Sequence, residues 1–220
     1  MGGLLRSSIA RKVAMALSAL FLLIFLLQHF AINFTSVIGK DVFNAFSHFM
    51  GTNTLIQLIF QPILIFGVIF HFVMGFILEI RNNRARNVGY ARFKGNANST
   101  WVSRNMIWTG LVILAFLVLH FIDFWFPEIN YKYLEYNPED PARYYDEMVE
   151  KFHNPLRVGA YVLAFFFLAM HLYHGFSSAF QSVGFRNKYS PVVRTLGKWY
   201  AIVIPAGFIF IALYHHFYSH

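Results

Sequence analysis

Five stretches of this sequence stay apolar long enough to cross a hydrocarbon core, for which about 20 helical residues suffice. They are Val13 to Phe34, Leu55 to Ile80, Met106 to Phe126, Leu156 to Phe180 and Trp199 to Phe217. In lipid a backbone amide finds no water, so each run must satisfy its own hydrogen bonds as a helix. The rest of the composition agrees: 57% of the 220 residues are hydrophobic and only 13% are charged, about half the charge of a typical soluble domain. The predicted fold is all-α and integral to a membrane, a single domain over residues 1–220 with five transmembrane helices. A secretory signal has an apolar region of about 7 to 15 residues; Val13 to Phe34 is longer and contains Gln28 and His29, so it is expected to be a retained first helix.

The charges set the orientation. Thirteen of the 18 basic residues fall in the N-terminus (Arg6, Arg11, Lys12), the second connection (Arg81, Arg84, Arg86, Arg92, Lys94, Arg104) and the fourth (Arg186, Lys188, Arg194, Lys198). The opposite side has Lys40, Lys132, Arg143, Lys151 and Arg157, diluted by nine of the ten acids. The positive-inside rule then places the N-terminus in the cytoplasm and the C-terminus outside. Because the excess of +8 flanks apolar spans and forms no single stripe, it argues for topology rather than nucleic-acid binding. The basic second connection serves orientation alone or docks a cytoplasmic partner.

Among the connections, Lys40, Asp41 and Gly51-Thr52-Asn53 are expected in a first outer loop, and Pro62 is expected to kink the second helix in its outer half. The third helix is expected to end at Pro127. In the long loop that follows, Asn137 to Pro141 is turn-like, and Ala142 to Phe152 suits a short interfacial helix with Tyr144 and Tyr145 near the headgroups. The fifth helix carries Pro205 and Gly207. His48, His153, His215, His216 and His220 are expected to be solvated at the outer side.

Four further histidines lie within apolar spans, and an ionisable side chain there calls for a partner. At 1.5 Å per residue, His29 and His120 lie roughly 24 to 26 Å from the basic residues Lys12 and Arg104. His71 and His171 lie roughly 15 Å from their own cytoplasmic ends. Local sequence repeats the pairing: His29-Phe30 and His120-Phe121 at one depth, His71-x-x-x-Gly75-Phe76 and His171-x-x-x-Gly175-Phe176 at the other. Two depths with two imidazoles each predict two sites.

A glycine one turn along the same face leaves a flat space where a wide planar group can approach the backbone. Two neutral imidazoles on facing helices can hold an iron porphyrin from both sides, which favours electron transfer over oxygen chemistry. Isolated intramembrane histidines can also hydrogen-bond between helices; four at matched depths favour haem. Zinc is disfavoured by the separation of the pairs and the want of nearby carboxylate or thiolate ligands. His174 is an alternative to His171 as ligand. With no cysteine in the chain, disulfides and cysteine-ligated iron–sulfur clusters are excluded within it, so any such cluster belongs to a partner.

The Gln28-His29 pair, His71-x-x-x-Gly75, His120, and His171-x-x-x-Gly175 followed by Ser177-x-Ala179-Phe180 resemble the dihaem cytochrome b subunit of succinate dehydrogenases and fumarate reductases. The likeness is to the single-chain, five-helix membrane anchor found in several bacteria, and it covers nearly the whole chain. It implies a haem-binding four-helix bundle with a fifth helix beside it, in the bacterial cytoplasmic membrane. His71 and His171 would ligate a proximal haem b and His29 and His120 a distal one. Partners would be an iron–sulfur subunit and an FAD-containing flavoprotein in the cytoplasm, the substrate a quinone, typically menaquinone. The dicarboxylate chemistry of the enzyme would lie on the flavoprotein. Some fumarate reductases of this type have a proton-transferring glutamate two residues before the fourth-helix ligand; here that position is Ala169. Asp123 and Glu128 can take a quinol proton or serve as interfacial carboxylates, and Asp123 is the nominee. Rival readings are the cytochrome b of another quinone-linked dehydrogenase, and a haem-free anchor or transporter.

Overall fold

The computed structural model describes residues 7–84 and 105–218. Arg6, His220 and most of the basic second connection, from Arg86 to Arg104, lie outside the described residues. The described residues form helices and no strands: α1 (Ser8–Ile38), α2 (Lys40–Thr52), α3 (Ile56–Arg84), α4 (Met106–Leu134), α5 (Arg143–Phe152), α6 (Pro155–Ser182) and α7 (Ser190–Tyr218). Five of these, α1, α3, α4, α6 and α7, are 28 to 31 residues long and apolar enough to span a membrane. Their outward faces carry large apolar side chains such as Leu17, Ile24, Leu58, Phe66, Leu163 and Trp199, all more than half exposed. A water-facing protein would not present so much of this surface; lipid covers it.

The spanning helices run past their expected ends. α1 continues beyond Asn33 and Thr35 to Ile38, and the expected first outer loop is the helix α2, separated from α1 only by Gly39. Gly51 and Thr52 therefore belong to the last turn of α2, not to a free turn. α4 does not stop at Pro127 but continues to Leu134. Proline lacks an N–H and its ring collides with the carbonyl four residues back. At Pro62 and at Pro127 that earlier residue, Leu58 or Asp123, sits in a wide π-helical turn (Ile56–Phe60 and Phe121–Trp125). The wider turn absorbs the proline and the helix continues. α6 starts sharply because Pro155 takes the first position and Asn154 caps it, accepting hydrogen bonds from the amides of Leu156 (3.0 Å) and Arg157 (3.2 Å).

α1, α3, α4 and α6 form a closed ring in which each packs against the next, while α7 lies along α6 and α1. α1 therefore faces α4, and α3 faces α6, across the middle. The buried core is concentrated towards the end far from the N-terminus, where Phe43, Met148, Phe152, Tyr161, Phe165, Phe208 and Ile211 meet. α2 and α5 close that end. Asn44 joins them, donating to the Ala142 carbonyl (2.8 Å) and accepting from the Tyr145 amide (2.8 Å). Lys132, from the end of α4, donates to the Gly51 carbonyl in the last turn of α2 and pairs with Glu128, the charge sign that the carbonyl end of a helix favours. Arg143 bridges Glu128 and Glu147 and stacks over the rings of Tyr131 and Tyr144 at 4.1 and 4.3 Å. Burial disfavours its charge, but the hydrogen bonds to Glu147 and Glu128 outweigh it and hold the guanidinium pKa above its ordinary value. Burial, with Glu128 nearby, pushes the Tyr144 hydroxyl up to about 12.

Several expectations of solvation are corrected here. His215 is fully buried, its Nε2 2.8 Å from Ser36 Oγ of α1 and its ring against Tyr145. His216 bonds the Phe152 carbonyl at 2.8 Å. His48 is half-buried in α2, 6.2 Å ring to ring from Tyr144. Tyr144 and Tyr145 are half-buried towards the bundle, Tyr145 against Phe43 and His215. His153 is exposed.

Candidate haem-binding histidine pairs

Helix geometry decides which histidines can meet. α1 and α4 run in the same direction, as do α3 and α6 with each other, and each pair lies across the middle of the ring. The structure brings together His29 of α1 and His120 of α4, with ring centres 5.8 Å apart. It likewise brings together His71 of α3 and His171 of α6, at 6.5 Å. The first pair lies in the half remote from the N-terminus, the second in the near half. His171, rather than His174, presents its ring to His71.

Each pair has its own surroundings. His29 stacks on Phe25 (5.4 Å) and lies beside Phe208 (5.8 Å), while His120 is bracketed by Phe116 (5.8 Å) and Phe124 (5.2 Å), with Tyr161 at 6.3 Å. The Nδ1 of His120 is buried without a hydrogen-bond partner, a state that native interiors seldom leave unexplained. His71 and His171 are instead braced by hydroxyls on the adjacent helices: Ser18 Oγ of α1 lies 3.0 Å from His71 Nδ1, and Thr109 Oγ1 of α4 lies 3.0 Å from His171 Nδ1. These two hydroxyls were not singled out from the sequence. A signal was present: Ser18 precedes His29, and Thr109 precedes His120, by the same eleven residues, three turns along one helix face.

The glycines beside the near pair differ from the tightly packed ones at Gly67, Gly197 and Gly207. A methyl added at Gly75 would meet only the end of Met15, at 3.6 Å, and one at Gly175 only the end of Met106, at 3.8 Å. Both neighbours are flexible thioethers. At Gly207, by contrast, the place is filled by the Phe30 ring, so there the glycine serves the approach of α7 to α1.

An iron atom held between two imidazoles at metal–nitrogen bonds of about 2 Å separates their ring centres by roughly 6 Å. Both pairs fit that span, and the movable cover over Gly75 and Gly175 fits a flat group laid against them. Among the described residues no cluster of three or more histidines and carboxylates could hold a metal ion, so each pair is a two-imidazole arrangement.

Asp123 is 3% exposed and already engaged: Arg157 lies 3.1 Å from Oδ1, and the Tyr161 hydroxyl donates to Oδ2 at 2.9 Å. Its π-helical turn begins directly after His120. Glu128 belongs to the network that closes the far end. Ala169 lies on α6, two residues before His171. Comparison with protein-family models, with curated proteins and with solved structures gives no match to this chain.

Proposed function

We propose that this chain is the cytochrome b membrane anchor of a succinate:quinone oxidoreductase, holding two haems b and passing electrons between an iron–sulfur partner and a quinone, with menaquinone the expected one. The observation that carries the reading is the pairing of four histidines across the bundle at two depths, with ring-centre separations of 5.8 and 6.5 Å. His71 and His171 would hold the haem nearer the cytoplasm, and His29 and His120 the other. Held by two imidazoles each, such haems would supply one-electron transfer rather than oxygen chemistry.

The chain's own residues have separable tasks in this reading. Aromatic side chains wall in His29 and His120. Gly75 and Gly175 leave room at the backbone. Asp123 remains the nominee for accepting a quinol proton, with Arg157 on one of its oxygens and the Tyr161 hydroxyl on the other. The N-terminal and second-connection arginines and lysines would dock the iron–sulfur subunit, which in turn carries the FAD-containing flavoprotein. The bacterial cytoplasmic membrane, with the N-terminus inside, follows from the same reading.

The test is a reduced-minus-oxidised visible spectrum with haem quantitation on the detergent-purified complex. Two low-spin haems per chain are expected, with His71→Ala and His120→Ala each removing a different one. Colourless wild-type protein overturns the reading. Haems with co-purified subunits other than a flavoprotein and an iron–sulfur protein keep the cytochrome b and reject the succinate assignment.

A further inference from the structure

The two histidine pairs are chemically unequal, and the difference lies in two hydroxyls. Ser18 Oγ is 2.8 Å from the carbonyl of Met15 as well as 3.0 Å from His71 Nδ1. Thr109 Oγ1 repeats the arrangement, 2.9 Å from the carbonyl of Met106 and 3.0 Å from His171 Nδ1. A hydroxyl has one hydrogen, and a carbonyl can only accept. The contact to the carbonyl is a hydrogen bond only if the hydroxyl donates there, which leaves the oxygen to accept from the imidazole. One arrangement satisfies both contacts: Nδ1 carries the proton and Nε2 does not.

We propose that Ser18 and Thr109 are positioning residues that hold His71 and His171 as Nδ1–H tautomers, each presenting an unprotonated Nε2 for metal ligation, while the His29/His120 pair has no such brace. The proposal rests on the haem reading for its redox consequence, though not for the tautomer itself.

The arrangement is built twice. In α1 and in α4 the order is the same: a methionine, the hydroxyl residue three positions later, and a histidine eleven positions after that, as Met15, Ser18, His29 and Met106, Thr109, His120. Each methionine end also covers the glycine one turn from the braced histidine, Gly75 or Gly175. Thr109 is 1% exposed, so its hydroxyl has no water to bond instead. Opposite, the side-chain nitrogen of Asn33 donates to the His29 carbonyl at 2.8 Å and lies 3.4 Å from both ring nitrogens of His29, where it can only donate, and His120 Nδ1 has no partner. An amide donor cannot accept an imidazole proton.

A ligand imidazole that donates its second N–H is more basic and oriented more firmly. The extra electron density favours ferric over ferrous iron, so the braced haem holds the lower potential that this one hydrogen bond can give. Removing a brace raises the potential of that haem alone.

The experiment uses the full complex with Ser18→Ala and Thr109→Val, and with Ser18→Thr and Thr109→Ser as variants that keep the hydroxyl. Potentiometric titration of the visible bands should show one haem shifting upward in each hydroxyl-free variant and the other unmoved. A tenfold loss of ferric preference reads as 59 mV for a one-electron couple. The hydroxyl-keeping variants should stay at the wild-type value, which separates the hydrogen bond from a general disturbance of packing. A second readout needs no haem: 15N NMR of histidine-labelled protein should report Nδ1–H tautomers for His71 and His171, lost in Ser18→Ala and Thr109→Val respectively. Unmoved potentials in both hydroxyl-free variants, a shift of the other haem, or Nε2–H tautomers at His71 and His171 each overturn the proposal. Protein that is colourless yet keeps the two Nδ1–H tautomers overturns the haem reading and leaves the positioning role standing.

Discussion

Asp123 shows what a buried charge demands of its neighbours. Its carboxylate is almost wholly enclosed, with Arg157 as counter-charge and Tyr161 as hydrogen-bond donor. Removing one partner of a buried pair leaves the other uncompensated, at about 3 to 5 kcal/mol. Arg157 is partly exposed, so Arg157→Ala is expected at the low end, about 3 kcal/mol, read as a lower melting temperature in detergent. Arg157→Ala together with Asp123→Asn should recover part of the loss, and a double variant no better than Arg157→Ala would deny the pair its structural role. The four bundle histidines were legible because depth and spacing can be counted along a chain. His215 was not. Its sequence position at the end of an apolar run says nothing about Ser36 or Tyr145, which reach it only through the folding of α1 and α5 over that end. Asp123 was visible as a carboxylate close after His120, yet its partners sit on α6, far away in sequence.

Among the helices, the sequence located the five spans and missed how prolines are accommodated. Pro127 looks like a terminus because propensity treats a proline as a break, whereas the π-helical turn before it removes the clash and lets α4 continue. α2 was hidden although Val42, Phe43, Phe46, Phe49 and Met50 repeat at helical spacing, because Gly51 and Asn53 read as turn residues in a short connection between two spans. Helix approach is where α7 is most sensitive. Gly207 faces the Phe30 ring with no space for a methyl group, and Phe30 is itself edge-on to Phe208 at 5.3 Å. Gly207→Ala therefore overpacks the α1–α7 contact and should cost about 1 to 3 kcal/mol. Phe30→Ala makes room, so the two substitutions together should cost less than their sum, and the thermodynamic cycle measures the coupling. Strict additivity would mean that α7 simply moves away from α1.

Taken as a whole, the molecule distributes its packing unevenly. α6 and α7 hold many of the buried residues, among them Val158, Tyr161, Phe165, Ala201, Ile204 and Phe208, and they share the most extensive contact in the structure. α3 buries only Met74, and α4 only Thr109 and Asp123. On the protein's own contacts, then, α3 and α4 have the weaker hold, whereas α1 also packs on α2, α6 and α7, and yet α3 and α4 each contribute a histidine to a pair. If haem joins the pairs, it ties α3 to α6 and α1 to α4 across the middle, supplying the cross-links that the side chains lack. Anything that binds only the folded state slows its opening by mass action, by about 4 kcal/mol at a thousandfold excess over Kd, or roughly a thousandfold in exchange rate for protons released by that opening. Amide hydrogen exchange should therefore be compared in holo protein and in protein made under haem limitation. Protection is expected to fall first and furthest in α3 and α4, with α6 and α7 largely retained. A His71→Ala variant should lose protection in α3 while α4, still tied through His120, keeps it. Equal protection of α3 with and without haem would place the stability of the bundle in helix contacts alone and leave the histidine pairs no part in holding it together.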